Sequence, residues 1–239
     1  MESGFDSVYA DPETGVLRNR LGISDKAVLE ETASTIAAAN IDAVRNLCGR
    51  YAIRAKAWDT RLLRNLHKAI MGEIYAWAGE YRKVDIGIEY DHVAYEHWET
   101  MPDKLEEVFS YIRENGCFRK MSEGEQIKNL ALVFGMIKNL QPFRDGNTRT
   151  AMVFTAMLAR ESGLVLDYSF LDRERFGQAQ VLARDGNYDP LVMQFAMIAA
   201  PEKEMPSLKM PKVVVCDRND DIRALLRFAD RQKGKGLQR

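Results

Sequence analysis

LQPFRDGNTR, residues 140–149, is the stretch on which the fold turns. Gly146 allows a positive φ or a close approach to a ligand. Asn147 tolerates the left-handed region and can orient a turn through its amide. Thr148 then opens a helix. The segments on either side are apolar nearly all round. Residues 122–140 carry Ile127, Leu130, Val133, Phe134 and Ile137, and residues 148–162 carry Ala151, Val153, Phe154, Met157 and Leu158. A helix without a polar face is usually central in its fold. Two such helices joined by the quoted loop place that loop at the top of a helical core.

Working outward, the rest of the chain reads as further helices and one short β element. Ser122 and Glu125 have capping-box spacing at the start of the first central helix. Upstream, DPETG at 11–15 is a turn. A helix follows from Ser24 to Leu47, and another from Asp59 to Ala78 with an apolar stripe at Leu62, Leu63, Leu66, Ala69, Ile70, Ile74 and Trp77, ended by Gly79. Residues 82–96, RKVDIGIEYDHVAYE, alternate and are rich in β-branched and aromatic side chains, which predicts a hairpin or flap. Helices are expected at 101–115, 172–184 and 189–200, the last capped by Asp189 with Pro190 at the first position. From Pro201, PEKEMPSLKMPK reads as a linker. The tail from 202 has ten Lys/Arg against six Asp/Glu and includes VVVC as a candidate strand and 218–231 as a candidate short helix.

Composition narrows the function classes. The chain has 239 residues, 46% hydrophobic and 29% charged, with a formal net charge of -1. That balance offers no electrostatic footprint for nucleic acid or an anionic membrane. No stretch has the roughly 20 apolar residues of a membrane span, and the N-terminus lacks the pattern of a signal peptide. Cys48, Cys117 and Cys216 are scattered, and His67, His92 and His97 show no metal-ligand grouping with them. The expectation is a cytosolic chain with reduced thiols.

The loop itself supports two readings. One is a tight helix–helix connection, since D-G and G-N are common turn dipeptides. The other is a diphosphate cradle. Backbone N–H groups at the start of the helix have no intrahelical partner and the helix dipole adds positive character. Arg149 supplies a guanidinium fork for phosphate oxygens, and Asp145 offers an oxygen ligand for Mg²⁺.

The stretch resembles the Fic family signature, H-[PF]-F-x-[DE]-G-N-[GK]-R-x-x-R, with Pro142, Phe143, Asp145, Gly146, Asn147 and Arg149 at matching places. YADPETGVLRNRLGI near the start, GEIYAWAGEYRKVDI at 72–86 and GNYDPL at 186–191 are also similar to family segments, so the likeness runs over about residues 8–200. The resemblance implies a mostly α-helical bundle with a short β-hairpin flap over a nucleotide site. It divides the chain into an N-terminal helical extension (1–55), a Fic-like core (56–200) and a linker with a basic tail (201–239). It implies AMP transfer from ATP to a hydroxyl side chain of a target protein. Asp145 would hold Mg²⁺, Gly146, Asn147 and Thr148 would cradle phosphates, Arg149 would clamp them, and Phe143 would anchor the loop. Gln178 and Leu182 would lie near the adenine. The flap residues Glu89, Tyr90, Asp91, His92 and Val93 would dock an extended segment of the target by strand addition. The expected partners are the target protein and a small antitoxin chain, in the cytoplasm. The basic tail reads most simply as a solvated segment, with a linker to absent domains, or a secretion signal that would make the chain a secreted effector, as the alternatives.

The sequence departs from the family pattern at three places. Gln141 replaces the histidine that would deprotonate the target hydroxyl, a role worth about 10²–10⁴-fold. Glutamine has no proton equilibrium near neutrality, but its amide can orient a hydroxyl. Thr148 replaces Gly or Lys, and Met152 stands where the second arginine belongs. The inhibitory motif [ST]-x-x-x-E-[GN] of some members has no match at either end. A substitute base from His92 on the flap or Lys138 on the preceding helix is the weaker alternative, each reading more simply as a solvated side chain. An active transferase, an inactive binding module and a transferase of another phosphate-linked group therefore remain the readings.

Overall fold

The computed structural model describes residues 8–48, 58–88 and 93–204. Among the described residues seven α-helices dominate: α1 (Lys26–Cys48), α2 (Thr60–Met71), α3 (Met101–Glu114), α4 (Glu123–Leu140), α5 (Asn147–Ser162), α6 (Arg173–Arg184) and α7 (Asp189–Ile198). Two antiparallel strand pairs accompany them: β1 (Gly87–Ile88) with β2 (Val93–Ala94), and β3 (Leu164–Leu166) with β4 (Ala199–Pro201). The first pair has the register Gly87↔Ala94 and Ile88↔Val93.

α4 is the central element, packed against α3, α5, α6 and α7, while α5 also meets α2 and β3. Leu130, Phe134 and Ile137 of α4 and Phe154 and Leu158 of α5 are fully or almost fully buried, as the lack of a polar face requires. The Ser122–Glu125 capping box forms as its spacing predicts and fixes the start of α4. The N-terminal segment turns at Asp11, whose Oδ1 accepts the N–H groups of Glu13 and Thr14, both at 3.0 Å. It then ties to the turns after α2, with Arg20 N–H donating to Ile74 O at 2.7 Å.

Several boundaries differ from the sequence expectations. α1 starts at Lys26, two residues after the expected Ser24, where the Asp25 carboxylate accepts the Val28 N–H at 2.9 Å. α2 ends at Met71, seven residues early, with Gly72 as its C-cap still bonded through its N–H to Lys68 O. The chain then folds through turns, so Ile74 and Trp77 are not part of the helical stripe. α5 starts at Asn147, one residue before Thr148. α7 is preceded by Tyr188 as its cap and stops at Ile198, leaving Asp189 and Pro190 as its first two residues. Residues 199–201, expected as helix end and linker, are instead β4, which covers the edge of β3. The expected strand and helix of the tail, with Cys216, lie outside the described residues. Among the described residues no helix is long and apolar enough to cross a membrane.

Candidate functional site

The loop 141–146 connects the C-terminus of α4 to the N-terminus of α5, where the sequence predicts it. Gln141 ends α4 in the left-handed region, at φ 46° and ψ 61°, and is 8% exposed. Gly146 is also left-handed, at φ 78°, and caps α5. The first helical bond is Thr150 N–H to Gly146 O at 3.0 Å. The N–H groups of Asn147, Thr148 and Arg149 precede it, in the turn that has no intrahelical acceptor.

Four groups hold this loop from within the protein. Asn147 clamps it across its own span: Oδ1 accepts the Phe143 N–H at 2.8 Å and Nδ2 donates to Phe143 O at 2.7 Å. The side-chain amide thus orients the turn, as the sequence predicts, and the residue's own N–H is left for a ligand. Phe143 is fully buried and stacked on the His67 ring at 3.8 Å with an interplanar angle of 5°.

His67 is fully buried. Its Nδ1 accepts the Gly79 N–H at 2.8 Å, so Nε2 carries the proton and donates to Asp145 O at 2.9 Å. Burial drives its pKa down to about 4, against a smaller upward pull from Asp145. His67 is therefore neutral at pH 7 and both its nitrogens are engaged. It is a pillar beneath the loop, with neither ring nitrogen left to act as a base.

Tyr75 reaches the loop from the turns after α2, its hydroxyl donating to Asp145 Oδ2 at 3.0 Å. Asp145 Oδ1 accepts the Gly146 N–H at 2.6 Å. Burial raises the Tyr75 pKa, and the Asp145 carboxylate raises it further, so the phenol remains a donor. Arg82, 1% exposed, donates through Nε to Gln141 O at 2.8 Å, and its own N–H donates to Pro142 O at 2.9 Å.

Of the other expected site residues, Arg149 extends toward α1, where Nη2 donates to Ser34 Oγ at 2.8 Å. Gln178 and Leu182 stand one turn apart on an exposed face of α6, and Gln178 pairs there with Glu174 rather than with the loop. Glu89, Tyr90, Asp91 and His92 lie outside the described residues, and Val93 is placed on β2. Lys138 is not the freely solvated side chain expected. Its Nζ lies 5.9 Å from the Tyr95 ring centroid, and burial, aided by Arg184, lowers its pKa.

Ser34, His67, Tyr75 and Arg82 are contacts that the sequence reading did not assign. A polar ring on the apolar stripe of α2 signals a satisfied internal partner, which was the available clue for His67. Tyr75 and Arg82 lie in GEIYAWAGEYRKVDI, a segment recognised as a whole without roles for its parts. Ser34 carries no sequence signal for its contact.

Mg²⁺ fits this arrangement on two grounds. Among the described residues the Asp145 carboxylate accepts one hydrogen bond at each oxygen, from Tyr75 and Gly146, which leaves lone pairs for a cation. Mg²⁺ typically uses one or two carboxylates, with waters and phosphates completing its shell, so a single carboxylate at this place suits it.

Residues 57–159 match the Fic/DOC family. The chain is 32% identical over 187 residues to protein adenylyltransferase VbhT of Bartonella schoenbuchensis, covering 78% of this chain and 37% of that protein. It is 29% identical over 188 residues to the probable protein adenylyltransferase y4lH of Sinorhizobium fredii, covering 77% of this chain and 91% of that one. The chain thus spans a little over a third of the longer Bartonella relative. Its fold is shared with the BepC effector protein of Bartonella tribocorum, solved with bound AMPPNP, at a TM-score of 0.77 and 21% identity, over 83% of this chain and 99% of that one.

Proposed function

We propose, for a chain that carries a Fic domain at residues 57–159, that it binds Mg²⁺–ATP at residues 143–149 and is built for transfer of AMP to a hydroxyl of a target protein. The observation that carries this reading is the braced loop. Buried groups hold Asp145 and the start of α5 in place before any ligand arrives. A site preorganised in this way stabilises phosphate charge without reorganising.

In the transfer, the target hydroxyl oxygen bonds to the α-phosphorus of ATP and pyrophosphate leaves. The N–H groups of Asn147, Thr148 and Arg149 and the Arg149 guanidinium hold the departing phosphates. Bound Mg²⁺ would neutralise charge between phosphates from its place on Asp145. Gln141 stands where the hydroxyl proton must go. Its amide oxygen accepts a hydrogen bond from the hydroxyl and orients it but takes no proton, so the proton passes to water or to an oxygen of the departing pyrophosphate. Turnover is therefore slow, lower by about 10²–10⁴-fold than with a histidine. The hairpin β1–β2 is the dock for an extended target segment.

The relatives' names support adenylyl transfer. Solved neighbours described as translocated effectors fit either cytoplasmic action or delivery into another cell. A second reading, a binding module without turnover, draws on the same glutamine.

One experiment separates them. The protein and its Gln141→His form are incubated with magnesium and α-labelled ATP in a cell lysate, and protein-bound label is counted. Label appearing strongly with the histidine form supports the transferase reading. Magnesium-dependent ATP binding with no label from either form points to the binding module or another transferred group. Loss of ATP binding itself refutes the assignment of 143–149.

A further inference from the structure

Arg82 makes contacts in two directions, and the transfer chemistry uses neither. On one side it holds three successive carbonyls at the end of α4. Its Nε donates to Gln141 O at 2.8 Å, its Nη2 to Leu140 O at 3.4 Å, and its backbone N–H to Pro142 O at 2.9 Å. The last carbonyls of a helix lack intrahelical donors and carry the negative end of its dipole, so a buried guanidinium is stabilised there. On the other side it holds the hairpin. Nη1 donates to Val84 O at 2.8 Å, and Nη2 donates to Glu96 O. Val84 precedes β1 and Glu96 follows β2, so these two carbonyls are the feet of the hairpin. Asp85, whose Oδ1 lies 3.5 Å from Nη1, is half exposed and belongs to the same foot.

The geometry demands arginine. Its donors form a rigid planar fork that can satisfy acceptors on opposite edges at once, whereas a lysine ammonium is a point with three donors. Gln141 sits in the left-handed region, which a non-glycine residue occupies only when its surroundings hold it there. Arg82 supplies that hold through the carbonyls on both sides of the turn.

We infer that Arg82 is a positioning residue that couples the hairpin to position 141, fixing both feet of β1–β2 and the left-handed turn at the end of α4 in one hydrogen-bonded network. The register of a segment docked on the hairpin and the direction of the side chain at 141 are then set together. The consequence for transfer rests on the function proposed above; the coupling itself is a property of the fold and is tested separately.

The test uses the full chain and its Arg82→Lys form, followed by native-state amide hydrogen exchange. The probe is the Tyr95 N–H, which donates to Ile86 O at 3.2 Å beside the hairpin. Its protection should fall about tenfold or more, the order expected for losing a charge-assisted hydrogen bond, while amides in the middle of α4 and α5 keep theirs. Calorimetric affinity for Mg²⁺–ATP should hold within about twofold, because the loop's other braces remain. Unchanged Tyr95 protection, or a loss spread evenly through α4 and α5, overturns the coupling.

If the lysine form does not fold, the unaltered protein decides. The Arg82 Nε–H should show the same protection as the Tyr95 amide, each referred to its own intrinsic exchange rate, and protection more than about tenfold lower counts against a shared network. In the Gln141→His background, Arg82→Lys should cut label transfer with ATP affinity retained. If Gln141→His with Arg82 intact transfers nothing, adenylyl transfer fails while the exchange data still decide the coupling.

Discussion

Acidification toward about pH 5 should destabilise this protein through His67. The imidazole has a pKa of about 4 in the fold against 6.5 for the free side chain. The unfolded chain therefore takes up a proton near pH 6.5, whereas the folded one does so only near pH 4. A depressed histidine pKa means full stability above about pH 6.5 and a loss as pH falls toward 4. At pH 5 the linkage amounts to about 2 kcal/mol relative to pH 7, from a limiting slope of about 1.4 kcal/mol per pH unit. That is a sizeable part of the 5–15 kcal/mol that typically holds a domain. The structural cause is specific. Protonating Nδ1 removes the acceptor for the Gly79 N–H at 2.8 Å and places a charge under Phe143. The assay is urea unfolding at pH 7, 6 and 5, compared with His67→Gln. The glutamine amide can accept from Gly79 and donate to Asp145, but it does not titrate. The variant should be less stable at pH 7 for want of the stacked ring, yet its stability should change less between pH 7 and 5, by the same roughly 2 kcal/mol. Parallel pH profiles for the two proteins would refute the assignment of His67 as a buried neutral pillar.

Two further substitutions probe the loop. Asn147→Ala removes both bonds to the Phe143 backbone and strands buried polar groups, so stability should fall by about 2–4 kcal/mol; urea unfolding gives the loss, and faster exchange of the Phe143 amide locates it. Met152→Arg places a guanidinium one turn beyond Arg149 on α5, and calorimetry should show Mg²⁺–ATP binding tightened about three- to tenfold, with the gain shrinking as salt is raised.

The helices were legible wherever their pattern was local. α4 and α5 announced themselves by being apolar on every face, and the capping box placed the start of α4. The early end of α2 was harder to see. Ile74 and Trp77 continue the stripe at helical spacing, and only the packing of the following turns against Tyr9 and Tyr75 shows why the chain leaves the helix. β3 and β4 pair residues more than thirty positions apart, and each is three residues long. Nothing local distinguishes such strands from a helix end or a linker. The candidate site divides in the same way. Phe143, Asp145, Gly146 and Arg149 could be picked out because the loop is continuous in sequence. His67, Tyr75 and Arg82 reach the loop from about 60 to 80 residues away, through α2 and the turns behind it. Their roles come from the tertiary fold.

The braces also bear on what the glutamine means. The bonds to residue 141 described above run to its backbone, through Arg82 to the carbonyls of residues 140–142. The conformation they impose, with φ 46°, is one in which histidine is enriched among non-glycine residues and glutamine is not. A histidine side chain therefore meets the same backbone at equal or lower conformational cost. Gln141→His should leave stability unchanged or raise it by a few tenths of a kcal/mol, while adding a titratable group at the mouth of the loop. His67 cannot offset the glutamine, since both its nitrogens are committed beneath the loop. Under the proposed function, the deficit at position 141 is then one of proton transfer alone, inside a frame in which Asn147, Tyr75 and Arg82 still hold the loop in place.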